Sequence, residues 1–418
     1  MTLFRDMRYP TARELAVTAR VLADEHPELA RLRQVGSSRA GRPLWLLSAG
    51  ERTGPRDALV VAGAHANEPV GGATVLALAR RVLREPALRA AGSWHFLLCA
   101  DPDGAALHRT PRPFTLLDYH RNFFRPPGPE QPEWAPSLLP PDRLPPETRV
   151  LLDVIDEVRP LLQVSLHGTD LGGSWVQLTR DIPGLAEPFG KSAAELRIPV
   201  ETSASDAAGW SSPGPGIFVM PDPGGGGAEV FHPEDTRLST WYHVHRHGGT
   251  TAIVEVPMWA GDLVDDPAPH PDPRGALRVL AARLTEDARR VAEVLAAARP
   301  GLPRDDSALL RAVDWTLALI PALTEQWRDG APPEATAAYV GSVEAFAWRL
   351  ALRAAAMLLR VLRAAGHPAA PGLDRLVTGW CTEFGARFEA RWVPVATQVE
   401  HQARTAVAAY GKLTAVSG

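Results

Sequence analysis

The sequence predicts an α/β architecture: a mixed, mostly parallel sheet with helices on both faces, followed by an all-α helical bundle. Three observations carry this expectation. Short apolar runs of strand length recur at residues 58–62, 93–100, 161–166 and 251–256, and helical patterns at 72–84 and 147–158 stand between them. Beyond the proline-rich stretch at 267–273 the pattern is helical almost to the end. With 418 residues the chain exceeds one ordinary domain, so an α/β unit over 1–299 and a helical unit over 300–418 are expected.

Taken in order, residues 11–30 place apolar side chains at helical spacing and end near His26-Pro27. Residues 34–49 have the look of two strands joined by a glycine-containing turn. The buried-strand run at 58–62 leads directly into Gly-Ala-His65-Ala-Asn-Glu68, and a helix is predicted from Gly72. Two long proline- and glycine-rich connections, 125–146 and 203–231, are expected to wall a cleft, because long irregular segments inside a compact domain tend to be lids or specificity loops. Residues 275–299 form a helix that closes the first unit, and 305–329, 333–365 and 372–413 form the amphipathic helices of the second. With no metal, nucleotide or basic signature in it, this helical unit is expected to cap the first or to dimerise.

Composition removes several function classes. Net charge is −4 with acids and bases interspersed, so neither nucleic acid nor an anionic membrane is expected as a partner. The first eight residues lack the apolar segment of a secretory signal and no uncharged run spans a bilayer, which points to a cytoplasmic protein. Two cysteines, Cys99 and Cys381, are too few for a disulfide framework.

The chemistry sits at strand ends. His65 and Glu68 are three residues apart where a strand gives way to a helix, and such a pair can close on one metal ion. Catalytic zinc takes three protein ligands and leaves a position for water, so a third ligand is sought. His167, at the end of the apolar run 161–166 and followed by glycine, supplies it. Glu255 stands inside the apolar strand 251–256, where a charge is costly unless paired or used, and is the candidate proton shuttle. Ligand sites of such sheets lie outside the carboxyl ends of the strands, which is where these residues fall. The histidines at 243, 245 and 247 resemble a rival metal cluster, but their position at the end of a helical pattern suits helix capping better.

Together the pieces resemble the zinc carboxypeptidases of the M14 family over residues 9–295. His65-Ala-Asn-Glu68 is similar to the family's His-x-x-Glu metal motif, Asp101-Pro-Asp-Gly to its Asn-Pro-Asp-Gly, and Asp118-Tyr-His120-Arg121-Asn122-Phe to its Asp-Leu-Asn-Arg-Asn-Phe. His167 and Glu255 stand where the family has its second metal histidine and its catalytic glutamate. The resemblance implies one zinc ion per chain on His65, Glu68 and His167, and hydrolysis with Glu255 as general base and then acid. It implies that Arg121 engages a substrate carboxylate or oxyanion, with Asn122 or His120 as added donors. A further family arginine falls on Arg109 or Arg112, Arg125 is a weaker candidate, and Tyr242 corresponds to the family's mobile tyrosine. Two departures, His120 for asparagine and Asp101 for asparagine, make a different carboxylate recognition expected.

The expected substrate is a peptide or peptide-like molecule with a free carboxylate, and the helical unit offers a surface for a homo-oligomer. An N-acyl amino acid deacylase of the desuccinylase or aspartoacylase type is the alternative enzyme. A compact cleft selecting a small acyl group favours the deacylase, and an extended groove favours the peptidase. A non-catalytic peptide-binding relative is the alternative outside enzymes.

Overall fold

The computed structural model describes residues 8–50, 54–110, 114–207, 209–221, 236–261, 263–302, 307–330 and 335–416. Its strands are β1 (Ala30–Ser37), β2 (Pro43–Ala49), β3 (Ala58–Val61), β4 (Trp94–Leu97), β5 (Leu162–Gly172), β6 (Trp175–Leu178), β7 (Ser211–Gly214), β8 (Ile217–Val219), β9 (Thr250–Ala260) and β10 (Arg391–Trp392). The helices of the first half are α1 (Ala12–Glu25), α2 (Val70–Arg84), α3 (Pro86–Arg89), α4 (Pro102–Leu107), α5 (Leu116–Arg121), α6 (Ala135–Leu138) and α7 (Pro146–Val158). Those of the second half are α8 (Ala186–Leu196), α9 (Thr240–His243), α10 (Pro273–Ala298), α11 (Ala308–Asp329), α12 (Ala337–Ala364), α13 (Ala370–Arg387) and α14 (Val395–Val416).

The strands form one sheet in the order β1-β2-β4-β3-β5-β9-β6-β8-β7, with β10 added to the end of β9. Its central four strands, β4-β3-β5-β9, run parallel, and the flanking β2, β6 and β10 join them antiparallel. Residues of β3 are buried on alternate faces, Ala58 and Val60 against α1, α2 and α14, and Leu59 and Val61 against α7. A sheet covered on both sides leaves its ligand site at the carboxyl edge. Local signals place the flanking helices: Thr11 and Glu14 close a capping box on α1, and Asp272 caps α10 ahead of Pro273.

Two expectations change here. Strand β5 does not end at His167 but runs to Gly172, because β9 pairs with it residue by residue from Leu162↔Thr250 to Gly172↔Ala260. The expected division at 299/300 is also corrected. Residues 372–413 hold two helices separated by β10, and the second, α14, packs on α2, α8, β5 and β9 of the sheet. Its alanines Ala403, Ala406 and Ala409 let the helix lie close to Val60, Val75 and Val164 in one buried cluster, and Gln402 Nε2 donates to the carbonyls of His167 and Val254 at 2.6 and 3.2 Å. Helices α11–α13 are therefore an insertion between α10 and the returning β10–α14.

Candidate metal centre and substrate cleft

The turn after β3 carries His65 and Glu68, β5 carries His167, and β9 carries Glu255 as the direct register partner of His167. All four are drawn together. Glu68 stands between the two imidazoles, its Oε1 3.0 Å from His65 Nδ1 and its Oε2 2.9 Å from His167 Nδ1, with the rings 4.6 Å apart. Glu255 Oε1 lies 3.8 Å from the same His167 nitrogen. Among the described residues two sets of three donor atoms fall within 4.8 Å of one another, Glu68–His167–Glu255 and His65–Glu133–His167. The expected set of His65, Glu68 and His167 straddles them.

Glu133 was missed by sequence reasoning. It comes from the 125–146 connection, is fully buried, and its Oε2 lies 3.0 Å from His167 Nε2 while Ser165 Oγ donates to its Oε1 at 2.6 Å. A carboxylate behind a metal-ligating histidine fixes the ring and its tautomer. The available signal was an acid in a segment already expected to line the cleft. Arg125, the weaker candidate from the sequence, does lie at these residues: its Nη1 donates to Glu68 Oε1 at 3.0 Å, and its Nη2 lies 3.1 Å from His65 Nε2 and 3.3 Å from Gln131 Oε1.

Protonation follows from these contacts. Burial, and then the Arg125 charge, lowers the His65 imidazole to about 4, so it is neutral. A guanidinium only donates, so His65 Nε2 accepts from Arg125 and its Nδ1–H donates to Glu68. Burial opposes charge on His167 as well, but the carboxylates of Glu68 and Glu133 outweigh it and hold the imidazolium well above its ordinary pKa. Burial likewise disfavours ionised Glu68, yet the two histidines hold it well below the carboxylate range. For Glu255 the His167 and Arg125 charges are outweighed: burial, and then the Glu68 charge, pushes it up to about 8.

The donor set fits a zinc ion. Two imidazole nitrogens and one carboxylate, all buried, converge beside a cleft, which is the chemistry of catalytic zinc sites. The protons on His65 Nδ1 and His167 Nδ1 occupy the positions a cation would take, so metal uptake releases protons. Zinc held through His65 Nδ1 would leave the ring's proton on Nε2, to which Arg125 Nη2 could not donate, while Gln131 Oε1, 3.3 Å from the same Nη2, would remain an acceptor.

The cleft beside these residues has a volume of about 320 Å3. Trp134, Trp175 and Trp241 of the sheet unit line it, and so do Trp315 and Leu319 of α11 and Phe346, Arg349 and Arg353 of α12. The helical insertion is thus a wall of the site.

Several expected substrate residues lie elsewhere. Arg121 donates from Nη2 to both carboxylate oxygens of Asp374 on α13, at 2.9 and 3.1 Å, because α13 packs across α5. His120 is buried, with Nδ1 2.8 Å from the Leu116 carbonyl, and does not line the cleft. Asn122 Nδ2 donates to the Asp118 carbonyl, and both Asn122 and Arg109 border a separate depression near α1 and α4. Arg112 lies outside the described residues. Tyr242 is buried against Trp134 and Trp241, with its hydroxyl 3.4 Å from the Pro221 carbonyl. Asp101 caps α4 by accepting from Gly104 N at 2.7 Å. His243 and His247 both contact Asp156 on α7. Residues 222–231 of the second connection expected to wall the cleft fall outside the described residues.

No curated protein matches the chain. Solved structures do. A suggested metallopeptidase of Shewanella amazonensis SB2B is similar at 14% identity and TM-score 0.41, over 59% of this chain and 84% of that one. A metallo-carboxypeptidase of Burkholderia cenocepacia is similar at 17% identity and TM-score 0.37, over 59% of this chain and 60% of that one. Bovine thrombin-activatable fibrinolysis inhibitor, in complex with tick carboxypeptidase inhibitor, is similar at 15% identity and TM-score 0.36, over 59% and 86%. Residues 16–172, the stretch that carries His65, Glu68, Glu133 and His167, match the family model of the zinc carboxypeptidases, peptidase family M14.

Proposed function

We propose that this protein is a zinc-dependent hydrolase that cleaves the amide bond next to the free carboxylate of a small peptide or peptide-like molecule. One observation carries the reading: the two imidazole Nδ1 atoms converge on Glu68 while Glu255, unpaired with any cation at hydrogen-bond distance among the described contacts, faces His167 from the next strand. Bound to His65, Glu68 and His167, one zinc ion supplies Lewis acidity to a carbonyl oxygen and eases the deprotonation of water.

The chain's own residues do the rest. Glu255 accepts the proton of the attacking water and returns it to the departing nitrogen, and a carboxyl raised toward neutrality suits both halves of that exchange. Glu133 holds the His167 ring through Nε2. Arg125, released from His65 Nε2, is placed to donate to an oxyanion beside Glu68. The apolar walls supplied by Trp134, Trp175 and Trp241 exclude water.

The alternative of an N-acyl amino acid deacylase is favoured by a specific observation, the modest cleft closed in by α11 and α12. Both readings share the site and differ in the acyl group. The deciding experiment measures metal content and amide hydrolysis on peptides and N-acyl amino acids, for the protein and Glu255→Gln side by side. One equivalent of zinc in both, with turnover reduced at least a thousandfold in the variant, is the expected result. Zinc bound without turnover by either would leave a non-catalytic binding protein, and absence of zinc from the folded protein would end the metallohydrolase reading.

A further inference from the structure

We infer that Arg349 and Arg353, on helix α12 of the inserted helices, bind the carboxylate of the substrate in place of Arg121. This rests on the hydrolase reading above for the identity of the ligand, a small molecule with a free carboxylate. The argument starts from β5. Because that strand continues past His167, it carries Thr169 in the cleft wall and Asp170 buried behind it, two and three residues beyond the metal-ligating histidine. At the strand rise these positions lie roughly 7 to 10 Å from His167. A one-residue leaving group puts its carboxylate about 4 to 5 Å from the scissile carbonyl carbon, and a metal–ligand distance of about 2 Å plus a hydrogen bond of about 3 Å account for the rest of that separation.

Helix α12 lays two arginines on those positions. Arg349 Nη1 donates to Thr169 Oγ1 and to Asp170 Oδ1, both at 2.8 Å, and Arg353 Nη2 donates to Asp170 Oδ2 at 3.0 Å. Four residues apart, the two side chains share a helix face. Both line the cleft together with Glu68 and Glu255, and each side chain is only 13% exposed. Two guanidinium charges thus meet one carboxylate. His120, 3.9 Å from Asp170, is lowered to about 4 by burial and does not alter the count. The Nε atoms of both arginines are buried without a hydrogen-bond partner. Buried cations in excess of their counter-charge, with donors unused, are costly unless a ligand completes them.

The planes of the forks are also held, with Phe123 under Arg353 at 4.9 Å and Phe346 beside Arg349 at 5.7 Å. A rigid, planar fork is what carboxylate recognition needs. The same cleft carries Glu201 and Asp206, but burial pushes the Glu201 carboxyl up to about 7, so it opposes an anion only partly. Arg121, by contrast, is held on Asp374, which it shares with Arg363, and does not line the cleft.

The test uses the full chain, zinc-loaded, in a Glu255→Gln background so that binding is read without turnover. Isothermal titration calorimetry compares N-acetylglycine with N-acetylglycinamide, which differ only in the carboxylate. The expected result is tighter binding of the acid, a loss of ten- to a hundredfold in acid affinity for Arg349→Gln with amide affinity unchanged, and no change for Arg121→Gln. Arg353 keeps Asp170 paired in that variant. Should circular dichroism show Arg349→Gln misfolded, Arg349→Lys, which retains the charge but not the fork, is held to the same criterion. Equal binding of acid and amide by the parent, retained preference in the Arg349 variants, or loss of preference in Arg121→Gln would each overturn the inference. An Arg349-dependent preference in a protein whose Glu255 form hydrolyses nothing would uphold carboxylate binding and sink the hydrolase reading instead.

Discussion

Glu133 controls the state of His167 from behind, without lining the cleft. Replacing it by glutamine leaves Ser165 a partner but removes the charge that favours a firmly held, electron-rich imidazole. The expected outcome is a ten- to hundredfold loss of zinc affinity with the fold intact, read by competition against a chromogenic chelator. Unchanged affinity would mean that Glu133 is only a core hydrogen-bond acceptor. Glu201 makes a second residue-scale prediction, on stability. Gly173 N and Ser342 Oγ donate to its carboxylate at 3.2 and 3.0 Å, yet burial dominates and raises the group from 4.5 to about 7. As pH rises through that window the unfolded chain ionises first, so it binds fewer protons than the folded one. The contribution of Glu201 to stability therefore falls between about pH 4.5 and 7, by about 3 kcal/mol at most, and is constant above. Urea unfolding at pH 5 and pH 8 checks this: Glu201→Gln should shrink the difference, and an unaltered difference would assign it to other groups.

At the scale of elements, what the sequence made legible was whatever rests on local pattern. The apolar runs at 58–62 and 251–256 became β3 and β9, and the residues at their ends, His65, Glu68 and Glu255, reached one site with His167. What it hid rests on partners distant in the chain. Arg121 looked like a substrate ligand until α13 brought Asp374 to it across 253 positions. The short strands β6, β7 and β8 carry no long apolar run, and β5 extends past His167 only because β9 accompanies it. Arg349 and Arg353 carried a local signal, two arginines four apart in an apolar helix, but nothing in the sequence said what they face. Helix α14 is the sharpest case. Its alanine face fits a bundle or a sheet equally well by pattern, and packing puts it on the sheet beside Val60 and Val164. Residues 1–299 expressed alone are consequently expected to lack a cooperative transition, since Leu166, Val254 and Val75 lose their cover. Thermal unfolding followed by circular dichroism decides it, and a transition matching that of the full chain would restore the division at 299/300.

For the molecule as a whole, the inserted helices and the sheet together line one cleft. Three anchors fix α11 and α12 over the cleft. Arg311 Nε donates to Glu130 Oε1 at 2.8 Å. Arg360 donates to the carbonyls of Phe123 and Leu107, each at 2.8 Å. Gly128 lies so close beneath Trp315 that a Cβ there would sit 2.9 Å from the indole. A space of about 320 Å3 between these walls is at the small end of ligand cavities, which run from about 300 to 1,000 Å3. An extended peptide would have to displace Trp315 and Leu319 or leave its residues outside. Specificity by exclusion is therefore expected: kcat/KM for N-acyl amino acids and dipeptides should exceed that for hexapeptides with the same C-terminal residue by at least a hundredfold. Trp315→Ala enlarges the space without touching His65, Glu68, His167 or Glu255, so it should narrow that ratio by raising the hexapeptide value and not by lowering the small-substrate one. A protein that cuts hexapeptides as fast as dipeptides would show that α11 lifts from the cleft in solution, and the wall it forms would then be a lid.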